Sequence, residues 1–195
     1  MNKMREFVFA THNHNKMREI QSLMPDDIKL LSLDDIKCFE DIEETEATIE
    51  GNAILKANYI KEKYGYNVFA DDTGLEVKAL GGQPGVYSAR YAGNHKSDTD
   101  NVQLLLRNME GKTNREAQFK TVIALCLDDA TYVFEGIVRG IITNTPVGTN
   151  GFGYDPVFQP NGFSQTFAQL PLATKNEIGH RGKAFKKLLD FLENY

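Results

Sequence analysis

Apolar residues along the chain fall into two kinds of pattern, short continuous runs and repeats at helical spacing. The runs predict strands at residues 7–10, 28–33, 68–70, 75–77, 119–127 and 131–142. The repeats predict a helix after residue 16, helices over 48–64 and 98–109, and a last helix that ends near residue 194. We expect the two longest strands to form an antiparallel hairpin, since residues 128–130 supply a turn between them.

The apolar run at residues 68–70 ends abruptly in the sequence Asp-Asp-Thr-Gly at residues 71–74. A buried strand that delivers two carboxylates to its carboxyl end suits a divalent cation or a general base, because ligands bind at that edge of open α/β sheets. The same four residues are good turn formers, and for this stretch taken alone the turn is the favoured interpretation. Asp128 and Asp129 also follow a strand, and we assign them to a hairpin turn without chemistry.

The polar residues 11–16 (Thr-His-Asn-His-Asn-Lys) join the first strand to the first helix and place Lys16 in its first turn. Backbone N–H groups at a helix N-terminus, together with a lysine, form a good site for an anion such as phosphate. Asn13 or Asn15 can instead cap the helix, and both interpretations can hold together.

Two segments in the last third of the chain are candidates for ligand binding. Residues 148–156 form a glycine-rich loop in which Phe152 and Tyr154 could sandwich a flat ring, and a loop anchored in the core is at least as good an interpretation. Lys175, His180 and Arg181 are predicted to precede the last helix. Donors gathered near a helix start suit an oxygen-rich or anionic ligand.

The composition narrows the class of protein. The chain has 195 residues, which fits one domain or two closely joined lobes with a sizeable core. Its 22 basic and 27 acidic residues leave a net charge of −5, which argues against broad binding to nucleic acid or an anionic membrane. Cys38 and Cys126 form neither a disulfide framework nor a zinc site, so we expect reduced thiols and a cytoplasmic protein. The N-terminus shows no leader pattern, and no apolar stretch is long enough to span a bilayer.

Seven motifs, in order along residues 7–192, resemble those of the inosine/xanthosine triphosphate pyrophosphatase family. They are residues 10–13 (ATHN) with Lys16 and Glu19, 43–45 (EET), 52–57 (NAILKA), 70–75 (ADDTGL), 80–82 (LGG) with 84–91 (PGVYSARY), 151–156 (GFGYDP) and 180–182 (HRG). Each motif alone is weak evidence, whereas seven in the family's order are highly specific.

The resemblance implies an α/β fold with a long, strongly curved mixed sheet flanked by helices. It implies a single domain, residues 1–195, made of two lobes around a central cleft, and a homodimer. The implied reaction is hydrolysis of nonstandard purine nucleoside triphosphates (ITP, dITP and XTP) to the monophosphate and pyrophosphate, which cleans the nucleotide pool. Mg²⁺ is the expected ion, because oxygen ligands and phosphates suit it. Neither nucleic acid nor a membrane is an expected partner.

The resemblance also implies roles for particular residues. Asp72 matches the proton acceptor and, with Glu43, the metal ligands, while Glu44 and Asp71 complete the acidic cluster. The residues expected to hold the phosphates are Thr11, His12, Asn13, His14, Asn15 and Lys16, assisted by Lys56. The residues expected to contact the rest of the substrate are Thr73, Phe152, Gly153, Tyr154, Asp155, Lys175, His180 and Arg181.

Base selectivity is the least determined part of this interpretation. Lys175 and Arg181 are pure donors, which favours the 6-oxo group of hypoxanthine or xanthine over the 6-amino group of adenine. Gly179 stands where the family usually has Ser, and Gly51 replaces a common acid. The alternatives are a related enzyme that acts on modified pyrimidine triphosphates and a non-enzymatic nucleotide-binding module. The net charge and the acidic cluster count against the binding module.

Overall fold

The computed structural model describes residues 4–195, which form seven strands and five helices. The strands are β1 (Arg5–Phe9), β2 (Ile28–Leu31), β3 (Val68–Val77), β4 (Pro84–Gly85), β5 (Glu116–Leu127), β6 (Ala130–Ile142) and β7 (Phe158–Pro160). The helices are α1 (His14–Gln21), α2 (Ile49–Tyr64), α3 (Asp98–Asn108), α4 (Leu172–Ile178) and α5 (His180–Glu193). Residues 1–3, part of the N-terminus for which no leader is predicted, lie outside the described residues.

The strands form one mixed sheet in the order β2-β1-β3-β5-β6-β7, with β4 paired to β3. β1 pairs in parallel with both β2 and β3, whereas β4 and β7 pair antiparallel with their neighbours. β5 and β6 are neighbours joined by two residues, a connection that can link antiparallel strands alone. The predicted hairpin, the α/β class and the mixed sheet are thus confirmed.

The interpretation of residues 71–74 as a strand end followed by a turn is wrong. β3 runs without a break over ten residues and carries both acids in its interior. Its first half pairs with β1 through Val8–Val68 and Phe9–Phe69, and its second half pairs with β4. Because β1 ends at Phe9, the acids lie just beyond the end of this parallel neighbour. Pairing on both halves of the strand overrides the local turn preference of Asp and Gly.

Caps set the ends of the first two helices. The side chain of Asn13 accepts the N–H groups of Asn15 and Lys16, so α1 begins at His14, and it ends at Gln21 rather than covering the apolar residues beyond. Thr48 caps the start of α2, and Gly65 ends it in the left-handed conformation with φ 76°.

The end of the chain differs from the prediction that Lys175, His180 and Arg181 precede the last helix. Lys175 lies within α4, and His180 and Arg181 form the first turn of α5. Gly179 separates the two helices in an extended conformation, with φ −75° and ψ 163°. Apolar spacing identified the body of α5 but not its polar first turn.

The chain forms two compact units, and each has its own apolar core. Within the described residues, the first unit comprises 4–72, 122–135 and 184–195, and its core includes Phe9, Phe69 and Phe185. The second comprises residues 73–121 and 136–183, and its core includes Phe119, Phe158 and Phe167. The expectation that all 195 residues act as one domain stays a prediction.

The backbones of β6 and β7 approach each other closely at Gly140. A Cβ atom on Gly140 would clash with the carbonyl oxygen of Gln159 in β7, so this position needs a residue without a side chain. Among residues 4–195, no helix combines the length and apolar character that a membrane span requires.

Candidate active site

The two acids of β3 are buried and engage different helices. Asp71 is 1% exposed, and its Oδ1 accepts a hydrogen bond from Lys16 Nζ of α1 at 2.9 Å. Asp72 is 5% exposed, and its Oδ2 accepts from Asn52 Nδ2 of α2 at 3.3 Å. Successive side chains of a strand point to opposite faces, which explains why neighbouring acids contact different elements. The two carboxylates therefore accept hydrogen bonds from different helices.

Lys56 connects the acidic residues of the first unit. It lies one turn after Asn52 on α2, so both side chains lie on one face of the helix. Its Nζ donates to Glu44 Oε1 at 2.5 Å and to the carbonyl oxygen of Asp71 at 2.8 Å. Burial lowers the pKa of Lys56, but the negative charges of Asp72, Glu44 and Asp71 together raise it above its usual value. Lys56 is therefore held as a cation among three carboxylates.

The predicted phosphate loop lies at the surface, and the alternative interpretation as a helix cap is confirmed. Asn13 Oδ1 accepts from the N–H groups of Asn15 at 2.9 Å and Lys16 at 3.2 Å. Thr11 Oγ1 accepts from the N–H of Asn13 at 3.1 Å, and the His12 ring contacts the carbonyl oxygen of Glu40 at 3.0 Å. Two of the N–H groups expected to face an anion are thus used by the cap, so Lys16 is the main positive group of the loop.

The donor set of the first unit fits Mg²⁺ in its chemistry. Asp71, Asp72 and Glu44 offer oxygen ligands alone, as this ion prefers. Glu43 is exposed in the segment between β2 and α2, and its role as a ligand stays a prediction. Within the described part of the chain, no three His, Cys, Asp or Glu side chains form a ready-made metal cage. Mg²⁺ usually binds proteins through one or two carboxylates, water and substrate phosphates.

In the second unit, an ion pair holds the glycine loop. Lys175 Nζ donates to Asp155 Oδ2 at 2.6 Å, and both side chains are at most 6% exposed. The same Oδ2 accepts from the N–H of Phe152 at 2.9 Å, and Asp98 Oδ2 accepts from the N–H of Gly153 at 2.7 Å. Lys175 Nζ also lies 4.8 Å from the centre of the Phe152 ring. Two carboxylates thus fix consecutive N–H groups of the loop that carries this ring.

The two aromatic residues of this loop have different surroundings, in contrast to the predicted sandwich. Phe152 is half-buried and also lies 5.6 Å from the Arg181 guanidinium. Tyr154 is 4% exposed, packs in the core of the second unit, and donates its hydroxyl to the carbonyl oxygen of Ser88 at 2.7 Å. Burial raises the pKa of Tyr154, so this hydroxyl keeps its proton. The core anchors Tyr154, which leaves Phe152 as the candidate stacking ring.

A chain of hydrogen bonds joins three predicted substrate residues through a fourth residue. Arg181 Nη2 donates to Thr73 Oγ1 at 3.2 Å, and Thr73 Oγ1 lies 2.6 Å from Thr121 Oγ1. Thr121 Oγ1 in turn lies 2.6 Å from His180 Nδ1. The His180 ring stacks on Phe119, with ring centres 4.7 Å apart and planes inclined by 20°.

Close packing explains several glycines around these residues. Gly151 has φ 76°, and a Cβ atom there would clash with the Asp155 carboxylate. A Cβ atom on Gly179 would clash with the carbonyl oxygen of Lys175. A serine at position 179, usual in the family that the motifs resemble, would require this backbone to shift.

Sequence reasoning did not identify two buried polar residues as members of these networks. Asn52 lies in one of the seven motifs, and its spacing of four residues from Lys56 was a usable signal because it places both on one helix face. Thr121 lies in an apolar run that predicts a core strand, and it gives no local signal.

Comparison with known proteins identifies relatives over almost the whole chain. A model of the Ham1 family matches residues 7–191. A dITP/XTP pyrophosphatase from Flavobacterium johnsoniae is 62% identical, over 96% of this chain and 97% of its own length. One from Porphyromonas gingivalis is 46% identical, over 97% of this chain and 98% of its own.

Solved structures agree with this assignment. A HAM1 protein from Coxiella burnetii has a TM-score of 0.91 at 38% identity and covers 98% of this chain and 100% of its own. The Ham1 protein of Staphylococcus aureus has a TM-score of 0.89 at 42% identity and covers 97% of this chain and 99% of its own. The sequence and the fold of this chain match those of its relatives over nearly the full length of each. The chain therefore belongs to the Ham1 family.

Proposed function

We propose that this protein is a nucleoside triphosphate pyrophosphatase that hydrolyses ITP, dITP and XTP to the monophosphate and pyrophosphate. The observation that carries the proposal is the buried acid pair of β3 with its two lysine partners. Lys16 donates to the Asp71 side chain, and Lys56 donates to the Asp71 backbone carbonyl. The relatives named dITP/XTP pyrophosphatase support the same reaction.

Asp72 is the proposed general base. In the reaction, a water oxygen forms a bond to the α-phosphorus, the bond from that phosphorus to the α–β bridging oxygen breaks, and pyrophosphate leaves. The water proton passes to the Asp72 carboxylate. Asn52 holds this carboxylate by its donated hydrogen bond, so the base keeps its orientation before the substrate arrives.

The phosphate side of the proposal belongs to the first unit. Lys16 binds phosphate oxygens from the first turn of α1, which also contains His14 and Asn15 and follows the loop residues Thr11, His12 and Asn13. Lys56 contributes a second positive charge. Asp71, Asp72, Glu43 and Glu44 are the residues proposed to hold Mg²⁺. When bound, Mg²⁺ would neutralise triphosphate charge during attack on the α-phosphorus.

The base side of the proposal belongs to the second unit. Phe152 stacks on the purine, and Lys175, His180 and Arg181 supply donors for its 6-oxo group. Asp155 holds Lys175 in place through their buried ion pair. Gly153 lies in the loop that carries Phe152, and Tyr154 supports that loop from the core. An adenine 6-amino group would leave these donors without acceptors, which discriminates against ATP and dATP.

The setting of the activity is also proposed. Both cysteines are free and buried, which supports a reducing compartment such as the cytoplasm. We propose a homodimer on the basis of the family resemblance. The net charge of −5 supports a small nucleotide, rather than nucleic acid or a membrane, as the partner.

A nucleotide panel tests the proposed function. The protein is incubated with dITP, XTP, dGTP, dATP and a modified pyrimidine triphosphate, with MgCl₂ or with EDTA, and pyrophosphate and phosphate are measured separately. We expect pyrophosphate from dITP and XTP in MgCl₂, with kcat/KM at least about 100-fold above that for dATP. We expect none in EDTA.

Three results would contradict the proposal. No turnover of any purine, with normal nucleotide binding, would favour a binding module. Preference for the pyrimidine would show that the base-recognition residues are assigned wrongly. Release of phosphate instead of pyrophosphate would place the cleavage at a different bond.

A further inference from the structure

Thr121 is a fully buried polar residue in β5, and the proposed reaction assigns it no role. It is 0% exposed, and its hydroxyl lies 2.6 Å from both Thr73 Oγ1 and His180 Nδ1. Phe119, two residues earlier on the same face of β5, stacks on the His180 ring. One strand therefore fixes both the plane of this ring and the partner of its Nδ1 atom.

The number of available protons limits the directions of the hydrogen bonds among Thr73, Thr121 and His180. A hydroxyl has one proton to donate, so Thr121 donates toward one neighbour and accepts from the other. If it donates to His180 Nδ1, a neutral ring carries its proton on Nε2. If it accepts from Nδ1, the neutral ring presents Nε2 as an acceptor. In a neutral His180 ring, the direction in which these hydrogen bonds run thus decides whether Nε2 is a donor or an acceptor.

Arg181 favours one direction for this series of hydrogen bonds. A guanidinium donates and never accepts, and Arg181 Nη2 donates to Thr73 Oγ1 at 3.2 Å. Hydrogen bonds strengthen one another when they run head to tail, so a donor-only group at one end favours donation away from it. The favoured order is Arg181 to Thr73, Thr73 to Thr121, and Thr121 to His180 Nδ1.

We propose that Thr121 is a positioning residue that holds neutral His180 with its proton on Nε2, so that the ring donates to the 6-oxo group of the purine. The proposal rests on the proposed function and deepens it, because it explains how one histidine discriminates between 6-oxo and 6-amino bases. Thr121 itself does not contact the substrate. Its effect passes through the ring that it orients.

The test combines the tautomer of His180 with base selectivity. The ¹⁵N chemical shifts of the His180 ring, assigned with a His180→Asn variant, report which nitrogen carries the proton. We expect an Nε2–H tautomer in the wild type and in Thr121→Ser, which keeps the hydroxyl. We expect a mixture of tautomers in Thr121→Val, which has nearly the same shape and no hydroxyl.

Selectivity is measured in the same variants as the ratio of kcat/KM for dITP to that for dATP. Thr121→Val should lower this ratio about tenfold, the effect of one hydrogen bond, mainly through a higher KM for dITP. Thr121→Ser should stay within about twofold of the wild type. The matched control is Thr166→Val, because Thr166 is another buried threonine of this unit whose hydroxyl donates to Val147 O. It should lower the melting temperature without changing the ratio.

Two results would overturn the proposal. One is a wild-type ring that carries its proton on Nδ1. The other is a Thr121→Val variant with an unchanged tautomer and an unchanged ratio, which would make Thr121 a purely structural residue. A wild type that releases no pyrophosphate from dITP would instead overturn the proposed function, and the NMR result would then decide the hydrogen-bond direction by itself.

Discussion

Two of the four Asp-Asp pairs in the sequence, 71–72 and 128–129, directly follow residues of a buried strand, and their surroundings in the fold are opposite. Asp71 and Asp72 lie inside β3, are 1% and 5% exposed, and accept hydrogen bonds from Lys16 and Asn52. Asp128 and Asp129 are exposed in the turn between β5 and β6. Asp128 adopts φ 52°, a left-handed conformation that Asp tolerates in turns.

The difference shows that burial and partners, not the residue pair, decide which carboxylates are suited to chemistry. A carboxylate removed from water needs donors or cations to remain charged, and the helices beside β3 supply them to Asp71 and Asp72. A carboxylate in an exposed turn stays solvated, so it needs no such partner to remain charged. Two pairs of variants test this contrast, and a third pair tests a partly exposed acid that has several partners.

The largest expected difference concerns catalysis. Asp72→Asn should lower kcat for dITP hydrolysis about 1000-fold, because the amide cannot take the proton from water. Asp128→Asn should remain within about twofold of the wild type, because the turn takes no part in the reaction. Pyrophosphate release in MgCl₂ measures both variants, and melting curves check that both are folded. A residual activity of Asp72→Asn above a tenth of the wild type would exclude Asp72 as the general base.

The second expected difference concerns the free energy of unfolding when a hydrogen-bond partner of each acid pair is removed. Lys16→Met should lower the free energy of unfolding by about 3 kcal/mol, because it removes the ammonium from the Asp71 carboxylate, whose side chain is 0% exposed. Tyr195→Phe removes the hydroxyl that donates to Asp128 Oδ2 at 3.0 Å, and should change this energy by less than about 0.5 kcal/mol.

Urea unfolding in EDTA measures both variants without a contribution from bound metal. If the two changes in free energy were equal, burial of the Asp71 carboxylate would not explain the contrast between the pairs.

The smallest expected effect concerns Glu40, an acid that is partly exposed and has several partners. The hydrogen bonds from Lys63 and Tyr64 to its carboxylate lower the pKa of Glu40 to about 2, from a usual value of 4.5. A lowered pKa in the folded state stabilises the protein fully above about pH 4.5, and this stabilisation is lost as the pH falls toward about 2.

The Glu40→Gln variant tests this dependence. The wild type should exceed it in urea midpoint at pH 6, and the gap should shrink steadily as the pH falls toward about 2. Glu110→Gln, a change at an exposed residue, serves as the control for a general effect of removing one negative charge. A gap that did not vary with pH would show that the partners of Glu40 do not act through its charge.

Much of the fold could be predicted from the sequence. Helix α2 was predicted over 48–64 and observed as Ile49–Tyr64, because its apolar spacing, its Thr48 cap and Gly65 agree with one another. The β5–β6 hairpin was predicted for the same kind of reason. β3 was predicted incorrectly because its interior carries turn-forming residues, whose preference is weaker than pairing with strands on both halves.

The candidate site was predictable as a set of residues and less so as an arrangement. The order of the motifs pointed to the family, which the comparisons confirm. The different partners of Asp71 and Asp72, and the cap on α1 by Asn13, depend on contacts that no motif describes. The roles of the individual residues stay predictions.

Apolar spacing and residue types that can be read locally were enough to predict four of the five helices, most of the strands and the family, whereas α4 was not predicted. The tertiary structure decided which acid pair is buried, that Tyr154 belongs to a core, and that Thr121 joins Thr73 to His180. The physical reason is that burial and hydrogen bonding join residues far apart in the chain. Thr121 and His180 are 59 positions apart, yet a 2.6 Å contact links their side chains.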